Sequence, residues 1–378
     1  MRPKAIVKKR QGGEPTMVIQ VNRRDIFKIA GVATLVGAIG FTAKNILNSP
    51  VGTPIKKLNS SLPKALKFLP TPPIDPALKT PGLTPLFTPN KEFFRIDIGN
   101  GIPNISLDTW KLKIGGMVDH PSEFTYKELT SRPIYELDAT ISCVSNEVGG
   151  KLAGNARWTG ISLDDLIREA GPSKNADQVM SFSDDGFSAG FPIAALDGHG
   201  AMIAFGMNGD PLPLENGYPA RVIVPGLYGY VSATKWVNRI DITRFDQEQG
   251  FWIPRGWSAK GPVKLQSRID TPQASEFFTS KPVTAGKNVI AGVAWSSLKS
   301  IARVEVRINN DPWVSATLGP ELAATTWRQW WVDWNAIKGS SSITVRAIDS
   351  SGEIQTSNIT PTVPNGAEGW HTINVKVS

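Results

Sequence analysis

Cys143 is the single cysteine of the chain, and it stands where an apolar, β-forming run (137–142) meets a loop of small residues (144–150). A cysteine in this setting can be a buried core thiol, a catalytic nucleophile, or a soft thiolate ligand to a metal that other sulfurs also hold. A nucleophile needs a nearby base, which the sequence does not place. The residues alone leave these three chemistries open.

The remaining metal-ligating residues exclude several classes of site. One cysteine cannot form an intrachain disulfide, a zinc ribbon or an iron–sulfur centre. The three histidines, His120, His199 and His371, lie far apart in the sequence, which argues against a histidine-rich metal site.

The net charge of +8 is concentrated near the start of the chain. Residues 1–44 carry +7 and residues 45–82 carry +4, which leaves −3 for residues 83–378. A slightly acidic body does not suit a nucleic-acid surface. We therefore expect no nucleic-acid partner.

The basic leader, residues 1–48, has the features of an export signal. Arg23 and Arg24 stand before Phe27 and Lys28, and the apolar run 29–43 follows. At fifteen residues, this run is shorter than the roughly 18 that a membrane span needs. The pattern resembles a twin-arginine signal, which exports proteins already folded around a cofactor. We expect an exported protein on the periplasmic side of the cell envelope, with this segment cleaved or kept as a membrane anchor.

Residues 49–89 form a linker that contains ten prolines. Proline on this scale prevents both helices and central strands. The segment is predicted to be an extended arm, either a spacer from the membrane or a strap over the first domain.

Two folded regions follow, and they differ in pattern. Residues 90–265 mix strands with a short helix at 163–170, which Ser162 should cap and Gly171 should end, so this region is α+β. Residues 266–378 alternate apolar and polar side chains in an all-β pattern typical of a sandwich. Four tryptophans have helical spacing but lie among β-formers, so we interpret them as strand residues in a core or interface: Trp327, Trp330, Trp331 and Trp334.

The order of these motifs resembles one family. The stretch 137–150 looks like the molybdenum-binding loop of the sulfite oxidase family of molybdopterin-dependent oxidoreductases. Similar to further loops of that family are the stretches 204–213, 216–229 and 232–236. The segments 292–296 and 303–306 resemble its immunoglobulin-like dimerisation domain. The resemblance covers 90–378 and implies a sulfite-oxidase-type molybdopterin-binding domain followed by an immunoglobulin-like β-sandwich, arranged as a homodimer.

The resemblance also assigns roles. Cys143 matches the thiolate ligand to molybdenum, a soft and electron-donating group. Arginine supplies a planar fork for a phosphate and lysine a point charge, which the phosphate of the pterin requires. The residues that match cofactor contacts are Asn90, Ser183, Asn216, Arg221, Ser232, Ala233, Thr234 and Lys235.

The sequence departs from the family at the substrate side. Sulfite oxidases place an arginine pair shortly after the ligand cysteine, whereas this chain has Ser145 to Val148 with the acid Glu147. Arg95 partly matches another oxyanion arginine of the family, as a catalytic substrate-binding residue. The negative charge of Glu147 favours a neutral or cationic substrate, of the sulfoxide or amine oxide type. The enzyme would reduce or form such a compound by oxygen-atom transfer.

Two alternatives remain at this point. One is a sulfite dehydrogenase in which Arg95 and Arg157 bind the anion. The other is a non-catalytic cell-surface binding module on the same fold. No haem-binding motif is evident. For an enzyme acting on a sulfoxide, an amine oxide or sulfite, we therefore expect a separate electron-transfer partner, linked to haem or quinone.

Overall fold

The computed structural model describes Leu62, Ala65 and Leu69 and the ranges 76–274 and 282–378. The predicted twin-arginine signal or membrane anchor, and most of the predicted linker, lie outside these residues. Among the described residues, no helix is long and apolar enough to cross a membrane.

Ten strands of the first region form two sheets. They are β1 (Lys111–Gly116), β2 (Ser122–Thr125), β3 (Tyr135–Ser142), β4 (Ala153–Ser162), β5 (Gln178–Ser183), β6 (Ser188–Pro192), β7 (Met202–Met207), β8 (Asp210–Pro211), β9 (Arg221–Ile223) and β10 (Val237–Thr243). One sheet has the order β2-β1-β10-β5-β6, and the other has the order β3-β4-β7-β8 with β9 paired to β7. β1 runs parallel to β10, whereas the other pairs described in these sheets are antiparallel.

Three short α-helices accompany these sheets: α1 (Tyr126–Thr130), α2 (Leu163–Ala170) and α3 (Gly229–Ser232). The predicted helix is confirmed as α2. The hydroxyl of Ser162 accepts from the backbone N–H of Asp165 at 3.0 Å, and Gly171 ends the helix at a φ of 68°. Its apolar stripe packs into the core between the two sheets.

Eight strands form a second region, which we call the C-terminal sandwich. They are β11 (Gln266–Thr271), β12 (Gly286–Trp295), β13 (Ile301–Ile308), β14 (Val314–Ser315), β15 (Thr317–Leu318), β16 (Arg328–Ala336), β17 (Gly339–Asp349) and β18 (His371–Val377). They make two four-stranded sheets, β11-β12-β16-β15 and β14-β13-β17-β18. One apolar core joins the inner faces of both sheets.

The four tryptophans with helical spacing lie in a strand or in the core, as predicted. Trp330, Trp331 and Trp334 lie in β16, and Trp327 immediately precedes it. Trp327 and Trp330 are buried. The helical spacing is therefore coincidental, because alternation in β16 places Trp330 and Trp334 on the same inner face.

The end of the linker lies across both regions rather than over the first one alone. We call residues 84–88 the strap. Its Leu86 carbonyl accepts from Asn155 Nδ2 in β4 at 2.8 Å and from the indole N–H of Trp327 at 2.9 Å. Its Thr84 N–H donates to Asp270 in β11 at 3.1 Å. The sequence left open a spacer from the membrane or a strap over the first domain, and the contacts with the C-terminal sandwich are an addition from the structure.

Candidate functional site

Cys143 follows β3 directly and begins a tight loop, residues 143–152, which we call the cysteine loop. The Cys143 N–H donates to the Leu152 carbonyl at 2.8 Å, which closes the base of the loop. Asn146 braces it from inside, because its Oδ1 accepts from the Leu152 N–H at 2.7 Å. The loop therefore presents the cysteine from a fixed backbone.

The thiol of Cys143 is half-buried, and its Sγ lies 2.9 Å from Ser145 Oγ. Burial raises the pKa of this thiol, while the Ser145 hydroxyl and N–H act in the opposite direction. Such a thiol is a poor free nucleophile, but a metal ion would favour its anionic form.

A second group of polar side chains surrounds Lys235, and we call it the cation cluster: Arg95, Asp97, Arg221 and Lys235. The Lys235 ammonium donates to Asp97 and to the Glu215 carbonyl. Arg95 also pairs with Asp97. The cluster thus contains one carboxylate and three cations. It therefore carries excess positive charge, and most of its side chains are buried.

Burial dominates the electrostatics of this cluster. It lowers the pKa of Lys235 to about 8, against the opposing effect of Asp97. It lowers the pKa of Arg221 to about 9. Desolvation disfavours the charged forms, so an anion placed among them would restore both charges.

Two buried polar atoms beside the cluster have no hydrogen-bond partner among the described residues. They are the Oδ1 of Asn216 and the Nε of Arg221. Both terminal nitrogens of Arg221 donate to main-chain carbonyls, of Asn216 at 3.0 Å and of Ala233 at 3.2 Å. Buried polar atoms are normally paired, so these orphaned atoms point to a bound polar group. An anionic group with hydrogen-bonding atoms fits this donor set.

The short helix α3 connects the cysteine loop with the cation cluster. A side chain on Gly229, at its start, would lie 3.3 Å from Ile141 in β3 and 3.7 Å from the Ser142 carbonyl. Ala233, at its end, supplies the carbonyl that Arg221 bonds. One turn of helix therefore spans from the end of β3, next to Cys143, to the guanidinium of Arg221.

Some of the predicted site residues lie together at the cation cluster, and others do not. Asn216, Arg221, Ala233 and Lys235 come together at the cation cluster. Arg95 joins them through Asp97, although its predicted place was the substrate side. Arg157, the second candidate for an anion, is held by both oxygens of Asp138 at 2.8 Å each.

Hydroxyl and amide groups of the remaining candidates are already used by the fold. The Ser232 hydroxyl donates to the carbonyls of Leu227 and Tyr228. The Thr234 hydroxyl lies 2.7 Å from that of Ser181. These two side chains shape the turn. The carbonyls of Ser232 and Thr234 accept from the N–H groups of Val224 and Val222, so what this stretch can offer a cofactor is a backbone N–H such as that of Thr234.

Asn90 begins a short 3-10 helix that contacts the end of β7, whereas Ser183 lies at the end of β5 in the other sheet. The Asn90 amide donates to the Met207 carbonyl at 3.2 Å and accepts from Asn208 Nδ2 at 2.8 Å, which ties it to the end of β7. Ser183 ends β5 and pairs with Val237, two residues beyond Lys235. Ser183 is thus near the cation cluster in the sheet, whereas the amide of Asn90 has a structural role.

Asp97 and Trp158 were not predicted. Asp97 bridges Arg95 and Lys235, and the Trp158 ring lies 5.0 Å from the Arg221 guanidinium. Phe93 packs edge-on against Trp158 and so places the segment that carries Asp97. An aspartate two residues after an arginine is the only local signal, and it is too common to be informative.

Comparisons with known proteins identify relatives of this chain. Residues 99–252 match the family model described as oxidoreductase molybdopterin binding domain. An uncharacterised oxidoreductase of Bacillus subtilis, YuiH, is 31% identical over 152 residues, which cover 40% of this chain and 74% of YuiH. Human mitochondrial sulfite oxidase is 27% identical over 392 aligned positions, covering 89% of this chain and 68% of the human protein.

The chain belongs to the sulfite oxidase family of molybdopterin-dependent oxidoreductases. Its cofactor is molybdopterin with molybdenum, which supplies two-electron redox chemistry when bound. The predicted family, enzyme class and cofactor are therefore confirmed. Membership of this family favours an enzyme over the non-catalytic binding module.

The architecture of this oxidoreductase is also found in a solved structure. The sulfane dehydrogenase SoxCD of Paracoccus pantotrophus matches with a TM-score of 0.67 and 22% identity, over 87% of this chain and 96% of that one. This similarity confirms a sulfite-oxidase-type fold of mostly strands with few helices.

Proposed function

We propose that this oxidoreductase holds its pterin phosphate at the cation cluster, receives a thiolate ligand for molybdenum from Cys143, and transfers an oxygen atom to or from a small neutral substrate. The observation that carries the cofactor assignment is the buried Arg221. Its charge lies in the interior with main-chain carbonyls as its hydrogen-bond acceptors. A phosphate would supply both the missing charge and an acceptor for its orphaned Nε.

The residues of the cluster then have separate tasks. Arg221 offers its Nε and a full charge, and Lys235 adds a point charge that Asp97 orients. Asn216 contributes an amide whose Oδ1 is available as an acceptor for a donor on the pterin. The stretch from Ser232 to Thr234 contributes its backbone.

Molybdenum and pterin contents test this assignment directly. Full-length protein, matured in a host that makes the cofactor, should contain stoichiometric amounts of both. The Arg221→Met variant should lose pterin and metal together, because the phosphate anchor is removed. A wild-type protein without either component would contradict the proposed function.

A neutral substrate, of the sulfoxide or amine oxide type, follows from the charges around the cysteine loop. Glu147 is exposed on that loop. The arginine that bonds the cysteine loop, Arg268, is paired with Asp270 at 2.6 Å, and Arg157 is paired with Asp138. Cations neutralised in this way give little attraction to a sulfite dianion.

Steady-state kinetics with three substrates separates the possibilities. The purified enzyme should reduce dimethyl sulfoxide or trimethylamine N-oxide with a viologen donor faster than it oxidises sulfite with ferricyanide. Faster turnover of sulfite would overturn the preference for a neutral substrate and leave the cofactor assignment intact.

Sulfite remains the second candidate, because the matched animal relatives are sulfite oxidases and because the Arg95 side chain is 38% exposed. If Arg95 binds the anion, Arg95→Met should raise the sulfite KM about 10-fold or more, as expected for a lost charge-assisted hydrogen bond. An unchanged KM would remove this candidate.

We propose that the leader directs export to the cell envelope and that electrons pass to a separate haem- or quinone-linked partner.

The two packed sheets of the C-terminal sandwich suit an immunoglobulin-like domain that pairs two copies of the chain. Sedimentation of the purified protein would reveal a dimer, and a monomer at micromolar concentration would contradict the pairing.

A further inference from the structure

The tip of the cysteine loop, residues 148–150, contacts the C-terminal sandwich. Arg268 in β11 donates from Nη1 to the Gly150 carbonyl at 2.9 Å. The ring of His371, the first residue of β18, lies against Gly149. A side chain on Gly369 would lie 3.6 Å from Val148. Three consecutive residues of the loop are thus in contact with one end of the sandwich.

Arg268 joins three segments of the chain. Its Nη2 donates to Thr84 Oγ1 in the strap at 2.8 Å, and its Nε donates to Asp270 Oδ1 at 2.6 Å. The Arg268 and Asp270 side chains are only 6% and 7% exposed, so water cannot replace these bonds. A planar guanidinium with fixed donors is well suited to hold a carbonyl in one position.

His371 holds the neighbouring residue by contact. Its Nδ1 accepts from the Ile269 N–H at 2.9 Å, which fixes the ring beside Arg268. Gly149 has a φ of 77°, and a Cβ there would lie 2.3 Å from the His371 ring. The backbone of Gly149 and the imidazole are therefore packed without space for one methyl group.

The contacts continue from the tip of the loop to its base. The Gly150 N–H donates to the Glu147 carbonyl at 2.8 Å, and the Asn146 N–H donates to the Cys143 carbonyl at 3.0 Å. A displacement at Gly149 or Gly150 is transmitted through these short bonds to Cys143. The far end of the loop is thus bonded to another sheet, and short bonds connect that end to Cys143.

We propose that Arg268 and His371 are positioning residues for Cys143: by holding Gly149 and Gly150 they set where the sulfur lies relative to the cofactor. This inference rests on the proposed function of Cys143 as the molybdenum ligand. Neither residue is assigned a contact with the cofactor or the substrate.

The test uses the full-length holoenzyme and three variants. Gly149→Ala places a methyl group against the imidazole. Arg268→Lys keeps a charge for Asp270 but cannot bond Gly150 and Thr84 together. His371→Asn is milder, since it keeps an acceptor for the Ile269 N–H and removes the ring from Gly149.

Two control variants reproduce the effects that these substitutions have apart from the contacts with the cysteine loop. Gly198→Ala also puts alanine at a positive φ, of 85°, with no atom within 4 Å of the new Cβ. Arg346→Lys alters an arginine of the same sandwich whose guanidinium pairs with Glu305 at 2.7 Å.

Two readouts are measured at equal molybdenum content. The first is the electron paramagnetic resonance spectrum of the one-electron-reduced metal, which depends on the orientation of its ligands. The second is hydrogen–deuterium exchange of the amides of residues 144–150. Loss of one holding bond should speed this exchange about 10-fold.

Changed spectra and faster exchange in the three variants, with both controls like the wild type, would support the proposal. Spectra and exchange rates that match the wild type in all three would overturn it, as would equal changes in the controls. If the wild type proves to contain no molybdenum, the proposed function fails. The exchange rates of the cofactor-free protein then decide alone whether Arg268 and His371 hold the loop.

Discussion

The guanidinium of Arg221 lies 5.0 Å from the centre of the Trp158 ring and is buried with its Nε unpaired. The ring face offers a weak attraction for the charge, and the carbonyls of Asn216 and Ala233 satisfy the two terminal nitrogens. Neither compensates a buried full charge. The protein without cofactor therefore keeps an unfavourable charge at this position, which the proposed phosphate contact would compensate.

Replacing Arg221 should have opposite effects on stability and on cofactor binding. Arg221→Met keeps the volume and removes the charge, so the cofactor-free protein should unfold at the same temperature or a higher one. Retention of the cofactor should fall about 10- to 100-fold, as expected when charge-assisted bonds to phosphate are lost. Thermal unfolding and metal analysis measure the two effects. Arg157→Met is the matched control: it breaks the bidentate pair between Arg157 in β4 and Asp138 in β3 and should destabilise the protein at unchanged cofactor content.

Lys235 should make the cofactor-free protein more stable as the pH rises above 8. Its pKa is about 8 in the folded protein and near 10.5 in the unfolded chain, because burial disfavours the ammonium. Between these values the unfolded chain binds more protons, so the free energy of unfolding increases with pH, by up to about 3 kcal/mol across the window. Below pH 8 both states are protonated and the penalty is constant.

Denaturant titrations at several pH values would show this dependence as a difference between wild type and Lys235→Met. The control, Lys111→Met, removes an exposed lysine whose pKa is raised by Glu123, and it should keep the wild-type slope. Equal slopes for wild type and Lys235→Met would contradict the assigned burial effect. Cofactor should also dissociate more readily above pH 8, because a neutral lysine no longer attracts phosphate.

Substitution of Cys143 should separate metal chemistry from pterin binding. Cys143→Ser replaces a soft thiolate with a hard hydroxyl that stays protonated, so activity should fall at least about 100-fold, beyond the effect of losing an outer-shell partner. The cation cluster is unaltered, so pterin should remain bound. Turnover and pterin fluorescence measure the two effects, and a variant with near wild-type turnover would exclude Cys143 as the ligand.

Asn155 should control how firmly the strap is held. Its Nδ2 donates to the Leu86 carbonyl, its Oδ1 accepts from Thr140, and it is fully buried. Asn155→Ala should cost about 1–3 kcal/mol and speed tryptic cleavage at the exposed Lys79. The surface amide Asn238, which donates to Asp184, provides a control whose replacement by alanine should change stability by less than about 0.5 kcal/mol.

The sequence predicted those features whose signals are local. The α2 helix has its cap at Ser162 and its end at Gly171, and the loop motifs around Cys143 and Arg221 are contiguous stretches. The parallel pairing of β1 with β10 was not predictable, because more than a hundred residues separate strands that carry no mark of their partner. Asp97 was missed for the same reason.

Contacts between the two regions were also beyond the sequence. The strap is five residues long, contains Pro85 and has no periodicity, so its register on Trp327 and Arg268 could not be inferred. Arg157 illustrates the converse error. An arginine in a candidate site suggests an anion, but here its partner Asp138 lies opposite on the neighbouring strand, which only the register reveals.

The strap has a consequence for how such a protein can be recombined. Thr84 and Leu86 bond to β4 on one side and to β11 and Trp327 on the other. A chimera that took its C-terminal sandwich from a relative would also need that relative's residues 84–88, although nearly two hundred positions separate them in the gene. A segment that keeps all these bonds when it is exchanged thus runs from the strap to β18. The boundary between the two regions is therefore not a suitable point for joining two proteins.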